Sequence, residues 1–278
     1  MEAERLVVIG HPVAHSLSPV FQAAALQAAG IDATYEAVDV APADLPAMIA
    51  RIRAERLLGN VTVPHKEAFH SHCDIIWDVA KRVGAVNCFW CDSAGQLHGE
   101  NTDVGGFDAA ARRVLAHLPA HALDLLPSPT GQTVALLGAG GAAAAVCEAV
   151  SAWPGARVRI HARTAARAKK LAARYAATAE VVPSVEDAVR GATLVVNATP
   201  VGLHDDALPV VPEALENGAA VLDLVYRRQR TPWVQACRSR GLRAHDGLGM
   251  LLEQGALSFE RWFGLVPDRE AMWESVIG

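Results

Sequence analysis

The chain is 278 residues long, carries a formal net charge of −5, and is 51% hydrophobic and 20% charged. That length and composition suit roughly two globular domains, each with its own core. The mildly acidic balance, with no block of Lys or Arg, excludes a surface built to track nucleic-acid phosphates.

In chain order, Leu6–Gly10 is an apolar, β-rich run that reads as a strand. It ends in Gly10-His-Pro-Val-Ala-His15-Ser16-Leu-Ser18-Pro19. Ser18 before Pro19 predicts a helix N-cap with proline at the first helical position, the helix running over Ser18–Ala29. The hydroxyls of Ser16 and Ser18, with the free amides of a helix start, suit a small anion such as a carboxylate. Thr34–Val40 predicts a second strand, Ala43–Glu55 a helix and Leu58–Val63 a third strand, ending in Gly59-Asn60-Val-Thr62-Val-Pro64-His-Lys66. A polar set at a strand's C-terminal edge lies where α/β sheets bind ligands, and Lys66 is placed there to transfer a proton.

Ala85–Cys91 and Gln96–His98 predict a hairpin around Ser93-Ala94-Gly95. Asn87 and then Asn101-Thr102-Asp103 form a second polar set. Asp103 is expected to cap a linking helix over Gly105–His117, and it can also bond a substrate hydroxyl and interact with Lys66. The alternation of strands and helices predicts a mostly parallel sheet. Leu118–Gly131, with three prolines, reads as an inserted loop.

Thr133 to Ala143 reads as a buried strand, a glycine turn and an alanine-rich helix reaching about Trp153. Gly138, Gly140 and Ala143 fit G-x-G-x-x-G/A: a tight turn, close approach of backbone to a pyrophosphate, and close packing of helix on strand. An NAD site places an acidic residue roughly 20 residues further on. None occurs between Glu148 and Glu180. The next strand, Arg157–His161, runs instead into Ala162-Arg163-Thr164-Ala-Ala-Arg167. Two guanidiniums opening a helix oppose its dipole, and a bound 2′-phosphate accounts for them, so the cofactor is expected to be NADP.

Strands at Leu194–Asn197 and Val221–Val225 continue this region, an amphipathic helix spans Met250–Phe263, and Arg269–Val276 adds another. Five cysteines, an odd number, fit reduced thiols in a cytoplasmic protein. Cys88 and Cys91 form a lone C-x-x-C, and His70, His72 and Cys73 lack zinc-ligand spacing, so no metal site is expected. The acidic start enters a strand at once, unlike a signal peptide. The longest uncharged stretch, residues 125–147, holds two prolines and four glycines and is no membrane span.

Taken together, Gly10–Pro19, Asn60–Lys66, Gly84-Ala-Val-Asn87 and Asn101-Thr-Asp103 resemble the substrate-domain signatures of the shikimate dehydrogenase family. The glycine turn, Arg163-Thr164, Asn197-Ala-Thr199 and Gly249-Met-Leu-Leu-Glu-Gln254 resemble it as well, in the family's order over almost the whole chain. The resemblance implies reversible hydride transfer between NADP(H) and the ring carbon that bears the alcohol of shikimate or the ketone of 3-dehydroshikimate, in aromatic amino-acid biosynthesis. It implies Lys66 and Asp103 as the catalytic pair. Ser16, Ser18 and Tyr226 match positions at the substrate carboxylate, and Asn60, Thr62, Asn87 and Gln254 positions at or beside the ring hydroxyls. Cofactor positions are Gly138, Ala139, Gly140, Gly141, Ala142, Arg163, Thr164, Arg167, Thr199, Gly247 and Met250.

The expected architecture is α/β. An N-terminal α/β substrate domain, residues 1–103 completed by helices in 246–278, accompanies a doubly wound parallel-sheet (Rossmann) NADP-binding domain, 104–245, with the cleft between them. The chain is expected to act on a small molecule, without nucleic acid or membrane, as a monomer or homodimer. It departs from the family's pattern at Ala162, where Asn is common, at Cys88, where Thr is, and at Pro200, where Ser is. The stretch Arg227–Arg230 is more basic than usual. Two rivals are a quinate/shikimate dehydrogenase using NAD and a non-catalytic NADP-binding sensor.

Overall fold

Runs of β-branched residues too short to span more than one layer alternate here with amphipathic helical stretches, and each pair buries one strand under one helix. The computed structural model describes residues 4–122, 126–227 and 229–277. The first three residues of the acidic start, residues 123–125 of the proline-rich insertion and Arg228 of the basic stretch lie outside them.

From the N-terminus the elements are β1 (Glu4–Gly10), α1 (Ser18–Ala28), β2 (Ala33–Asp39), α2 (Leu45–Glu55), β3 (Leu58–Val61) and α3 (Lys66–His70). There follow β4 (Ile75–Ile76), α4 (Asp78–Val83), β5 (Cys88–Cys91), β6 (Leu97–Glu100) and α5 (Asp103–Leu115). Next come β7 (Thr133–Leu137), α6 (Gly141–Ser151), β8 (Arg157–His161), α7 (Ala165–Arg174), β9 (Ala179–Val181), α8 (Val185–Val189) and β10 (Leu194–Asn197). The last elements are β11 (Ala220–Asp223), α9 (Pro232–Ser239), β12 (Arg243–His245), α10 (Leu248–Phe263) and α11 (Arg269–Ile277). Two compact units result, Met1–Asp103 with Leu251–Gly278, and Val104–Met250. Among the described residues no helix is long and apolar enough to cross a membrane.

The first unit holds a six-stranded sheet in the order β2-β1-β3-β5-β6-β4. Strand β1 is parallel to β2 and β3, but β5 is antiparallel to both β3 and β6. The sheet is therefore mixed, where strand–helix alternation predicts a mostly parallel one. The cause is local. Asp92 Oδ1 accepts the N–H groups of Ala94 and Gln96, each at 2.9 Å, and Gly95 takes φ +79°, which folds β5 back on β6 as a tight hairpin. Ile9, Ile52, Phe69, Phe89 and Leu97, each 0% exposed, form the core on one side of this sheet.

Helix α1 also differs from expectation. Leu17, already helical, precedes it, and Ser18 caps nothing. Ser16 Oγ accepts the Ser18 N–H at 3.2 Å instead. The turn that bonds Ser16 N–H to Val13 C=O winds the chain into helix earlier than the Ser-Pro signal implies, so the capping hydroxyl is the earlier serine. Helix α5 likewise begins at Asp103 itself, not at Gly105.

The second unit is a six-stranded sheet in the order β12-β11-β10-β7-β8-β9, parallel throughout. Val134, Ala135, Leu136, Val195 and Val221 are completely buried, as strands covered on both faces must be. Counting outward, the order reverses between β7 and β10, the switch point where doubly wound sheets bind ligands at the strands' C-terminal ends.

Candidate active site

In the first unit, the ends of β3 and β6, the residue before β5, and α10 bring together one set of polar side chains. Lys66, opening α3, donates from Nζ to Asp103 Oδ2 at 2.6 Å, with the two side chains only 19% and 5% exposed. Removed from water, this pair attracts far more strongly than a surface pair, and it needs its remaining polar atoms satisfied. Asp103 Oδ1 accepts from Asn87 Nδ2 at 3.0 Å, so both carboxylate oxygens are held within this network. Asn87 Oδ1 accepts the Thr102 N–H at 2.7 Å, and Asn87 Nδ2 also lies 3.0 Å from Gln254 Oε1.

Asn60, on β3, has every amide proton committed. Its Nδ2 donates to Asn87 C=O and to Ser258 Oγ, both at 2.9 Å, while its Oδ1 accepts the Tyr35 hydroxyl at 2.7 Å. Both amide protons of Asn60 thus go to its neighbours, which it holds together. Burial keeps the Tyr35 phenol well above its ordinary range, so it remains a donor, and the Ser18 hydroxyl bonds to it. Ser16 and Thr62, both half-buried, make no side-chain hydrogen bond to this network among the described residues.

In the second unit, Gly138 follows β7 with φ +120°, and a Cβ there would stand 2.7 Å from Ala198 C=O. Only glycine serves at this crossing of the β7 and β10 loops. Gly140 precedes α6 with open space around its Cβ position, and Gly141, Ala142 and fully buried Ala143 begin the helix. The turn thus offers bare backbone and helix amides to an anion. Arg163 lies just before the capping position of α7, at Thr164, and Arg167 lies in that helix's first turn. Both arginines are exposed, and neither has a carboxylate partner among the described residues. The expected placement is thus adjusted: one arginine flanks the helix and one belongs to it.

Asp223, at the end of β11, joins the loops around this turn. It accepts from Asn197 Nδ2 at 2.8 Å, Thr231 Oγ1 at 2.7 Å and Val225 N–H at 3.2 Å. Asn197 Oδ1 in turn accepts both the N–H and the hydroxyl of Thr199, at 3.0 and 2.6 Å. Burial raises the Asp223 carboxyl above its ordinary value. Half-buried Tyr226 follows on this strand end, and Gly247 approaches it so closely that a Cβ would lie 2.3 Å from Leu224 C=O. Met250 is buried in the first turn of α10. From the basic stretch, Arg227 bonds the carbonyls of Leu203 and Asp205, tying the loop after Thr199 to the Tyr226 segment.

Residues 8–89 match the family described as shikimate dehydrogenase substrate binding domain, and residues 247–277 match the shikimate 5′-dehydrogenase C-terminal domain. Residues 133–226 match a family described as NADP oxidoreductase, coenzyme F420-dependent. A shikimate dehydrogenase (NADP(+)) of Mesorhizobium japonicum is 39% identical over 99% of this chain and 95% of its own length. The chain belongs to the shikimate dehydrogenase family. Among solved structures, shikimate dehydrogenase from Aquifex aeolicus superposes with a TM-score of 0.90 at 34% identity, covering 100% of this chain and 98% of that one. Shikimate 5-dehydrogenase from Thermus thermophilus, in complex with NADP(H) and shikimate, gives 0.83 at 38% identity and 98% of both chains. Within this family the chain's departures have local meanings. Cys88 is fully buried beside Ser258, and burial pushes its thiol up to about 12, so it is inert packing. Pro200 is exposed and has no amide to offer, and half-buried Ala162 brings no polar side chain between β8 and Arg163.

Tyr35, Ser258, Asp223 and Thr231 also carry the two sites' hydrogen bonds, and no sequence motif marks them. Ser258 had a readable signal, since it lies four residues after Gln254 on one helix face. Tyr35 had none, because its bond to Asn60 reaches across β1 to another strand.

Proposed function

We infer that this chain is an NADP-dependent shikimate dehydrogenase, reducing 3-dehydroshikimate to shikimate reversibly in aromatic amino-acid biosynthesis. The observation that carries this is the shielded Lys66–Asp103 pair, braced by Asn87, in a chain that matches shikimate dehydrogenases over its whole length. NADP(H), when bound, supplies or accepts the hydride. The open cradle at Gly140, the amides of α6 and the exposed guanidiniums of Arg163 and Arg167 suit its phosphates. Ala139, Thr164, Thr199, Gly247 and Met250 complete the cofactor side of this reading.

Lys66 Nζ holds the proton that the substrate oxygen needs as its carbon becomes an alcohol. Negative charge grows on that oxygen during reduction, and an ammonium placed there stabilises it and delivers the proton. Asp103 orients Lys66 and, with Asn87 and Gln254, fixes the ring. Ser16, Ser18, Thr62 and Tyr226 hold the carboxylate and remaining hydroxyls. The test is steady-state turnover of shikimate and of quinate, each with NADP⁺ and NAD⁺. The highest kcat/KM is expected for shikimate with NADP⁺; a higher value for quinate with NAD⁺ would overturn the assignment.

A further inference from the structure

The first unit's polar network has a proton order that can be worked out, and it gives Ser258 a part in the chemistry. Ser258 Oγ is completely buried and donates its one proton to Gln254 C=O at 2.9 Å. It must then be the acceptor in its 3.0 Å contact with Thr102 Oγ1, as it is for Asn60 Nδ2. Thr102, having given its proton to Ser258, can only accept from Asn87 Nδ2 at 2.9 Å. The Thr102 N–H on Asn87 Oδ1 turns the amide nitrogen toward Asp103 Oδ1, the carboxylate that holds Lys66, and Thr102 Oγ1 braces it there. Tyr35 enters the same chain from the other side, through Asn60 Oδ1.

We propose that Ser258 and Tyr35 are positioning residues for the reaction: through Asn60 and Thr102 they hold Asn87 in place and so the geometry of the Lys66–Asp103 pair. This rests on the dehydrogenase reading above. Without the Ser258 hydroxyl, one Asn60 Nδ2 proton loses its acceptor, and Thr102 is released to donate to Asn87 Oδ1, which lies 3.3 Å away. Without the Tyr35 hydroxyl, Asn60 Oδ1 is left buried and unpaired, which loosens its grip on Asn87 C=O. Both losses act on orientation at the reacting centre and leave the nucleotide unit untouched.

The experiment compares Ser258→Ala, Tyr35→Phe and the double variant with the parent in shikimate oxidation, with thermal melts to confirm folding. Each single variant is expected to lower kcat about 5–30-fold, with the NADP⁺ KM within about twofold of the parent's. The double variant should be no more than about twofold below the worse single one, because both changes act through Asn60. A folded Ser258→Ala enzyme with parental kcat overturns the proposal, whatever the behaviour of Tyr35→Phe, and so do losses that multiply in the double variant. A parent without shikimate turnover overturns the functional reading and this inference with it. Parental turnover with unaffected variants overturns the inference alone.

Discussion

The two units solve the problem of holding a ligand in opposite ways. In the first, side chains far apart in sequence bond one another before any substrate arrives, and Asn60, Asn87 and Asp103 have their polar atoms engaged. In the second, the ligand side is backbone and solvent-facing cations: a positive-φ glycine, an open Gly140 and two arginines without carboxylate partners among the described residues. Its dense hydrogen-bond hub, Asp223, secures loops and leaves the glycine turn bare. A preorganised side-chain cluster is suited to stabilising a transition state, whereas an exposed anion cradle is suited to affinity. Substitutions in the first unit should therefore fall on kcat, and substitutions in the second on cofactor KM.

The largest effect should come from Lys66→Ala. Turnover is expected to fall by roughly 10²–10⁴ with little change in the shikimate KM, as stopped-flow and steady-state assays would read. Near-normal turnover would remove Lys66 from the chemistry and blur the contrast between the units. Gly138→Ala comes next. A Cβ at φ +120° and 2.7 Å from Ala198 C=O forces the β7 and β10 loops apart. The NADP⁺ KM should rise about tenfold or more, with stability lowered by about 1–3 kcal/mol. An unchanged KM in a folded variant would show that the turn does not carry the cofactor.

Replacing Arg163 and Arg167 together by Ala should weaken NADP⁺ binding by about 10–100-fold in calorimetry while changing NAD⁺ binding about twofold or less. Equal losses for the two cofactors would sink the 2′-phosphate assignment. The smallest effect concerns stability. Burial, with Arg238 and Arg113 nearby, pushes His245 down to about 4. In the unfolded chain it returns to about 6.5. Between these values the unfolded state binds a proton that the native state refuses, so stability falls as pH falls through that window. His245→Gln should flatten this decline by about 2 kcal/mol at pH near 4.5, seen in thermal melts, while the pH profile of kcat stays parental.

Much of this was legible in the residue string, for a physical reason. The glycine turn, the missing acid after Arg157–His161 and the arginines that follow are local signals, because backbone geometry and a phosphate site are built from consecutive residues. The hairpin near Gly95 is equally local, although strand–helix alternation hides its effect on sheet direction. What escaped was long-range: Tyr35 to Asn60, Asn60 to Ser258, Asp223 to Asn197. Such bonds depend on which strands become neighbours, and periodicity does not encode that. Ser18 shows a subtler limit, since a Ser-Pro signal marks a helix start to within a residue or two while the hydroxyl that bonds the free amide is Ser16.

The bonds from α10 also order events in time. Asn60 and Ser258 are 198 positions apart, and Asn87 and Gln254 are 167 apart. On the ribosome, the segments that carry Asn60 and Asn87 are made long before the helix that bonds them. At roughly 5–20 residues per second, the stretch from Asp103 to Ser258 takes about 8–30 s to appear. Throughout that interval the nascent N-terminal unit holds amides and hydroxyls whose partners have not yet been synthesised. The polar centre is thus finished only once α10 is made, and a chain stopped before Gln254 is born without the bonds to Gln254 and Ser258.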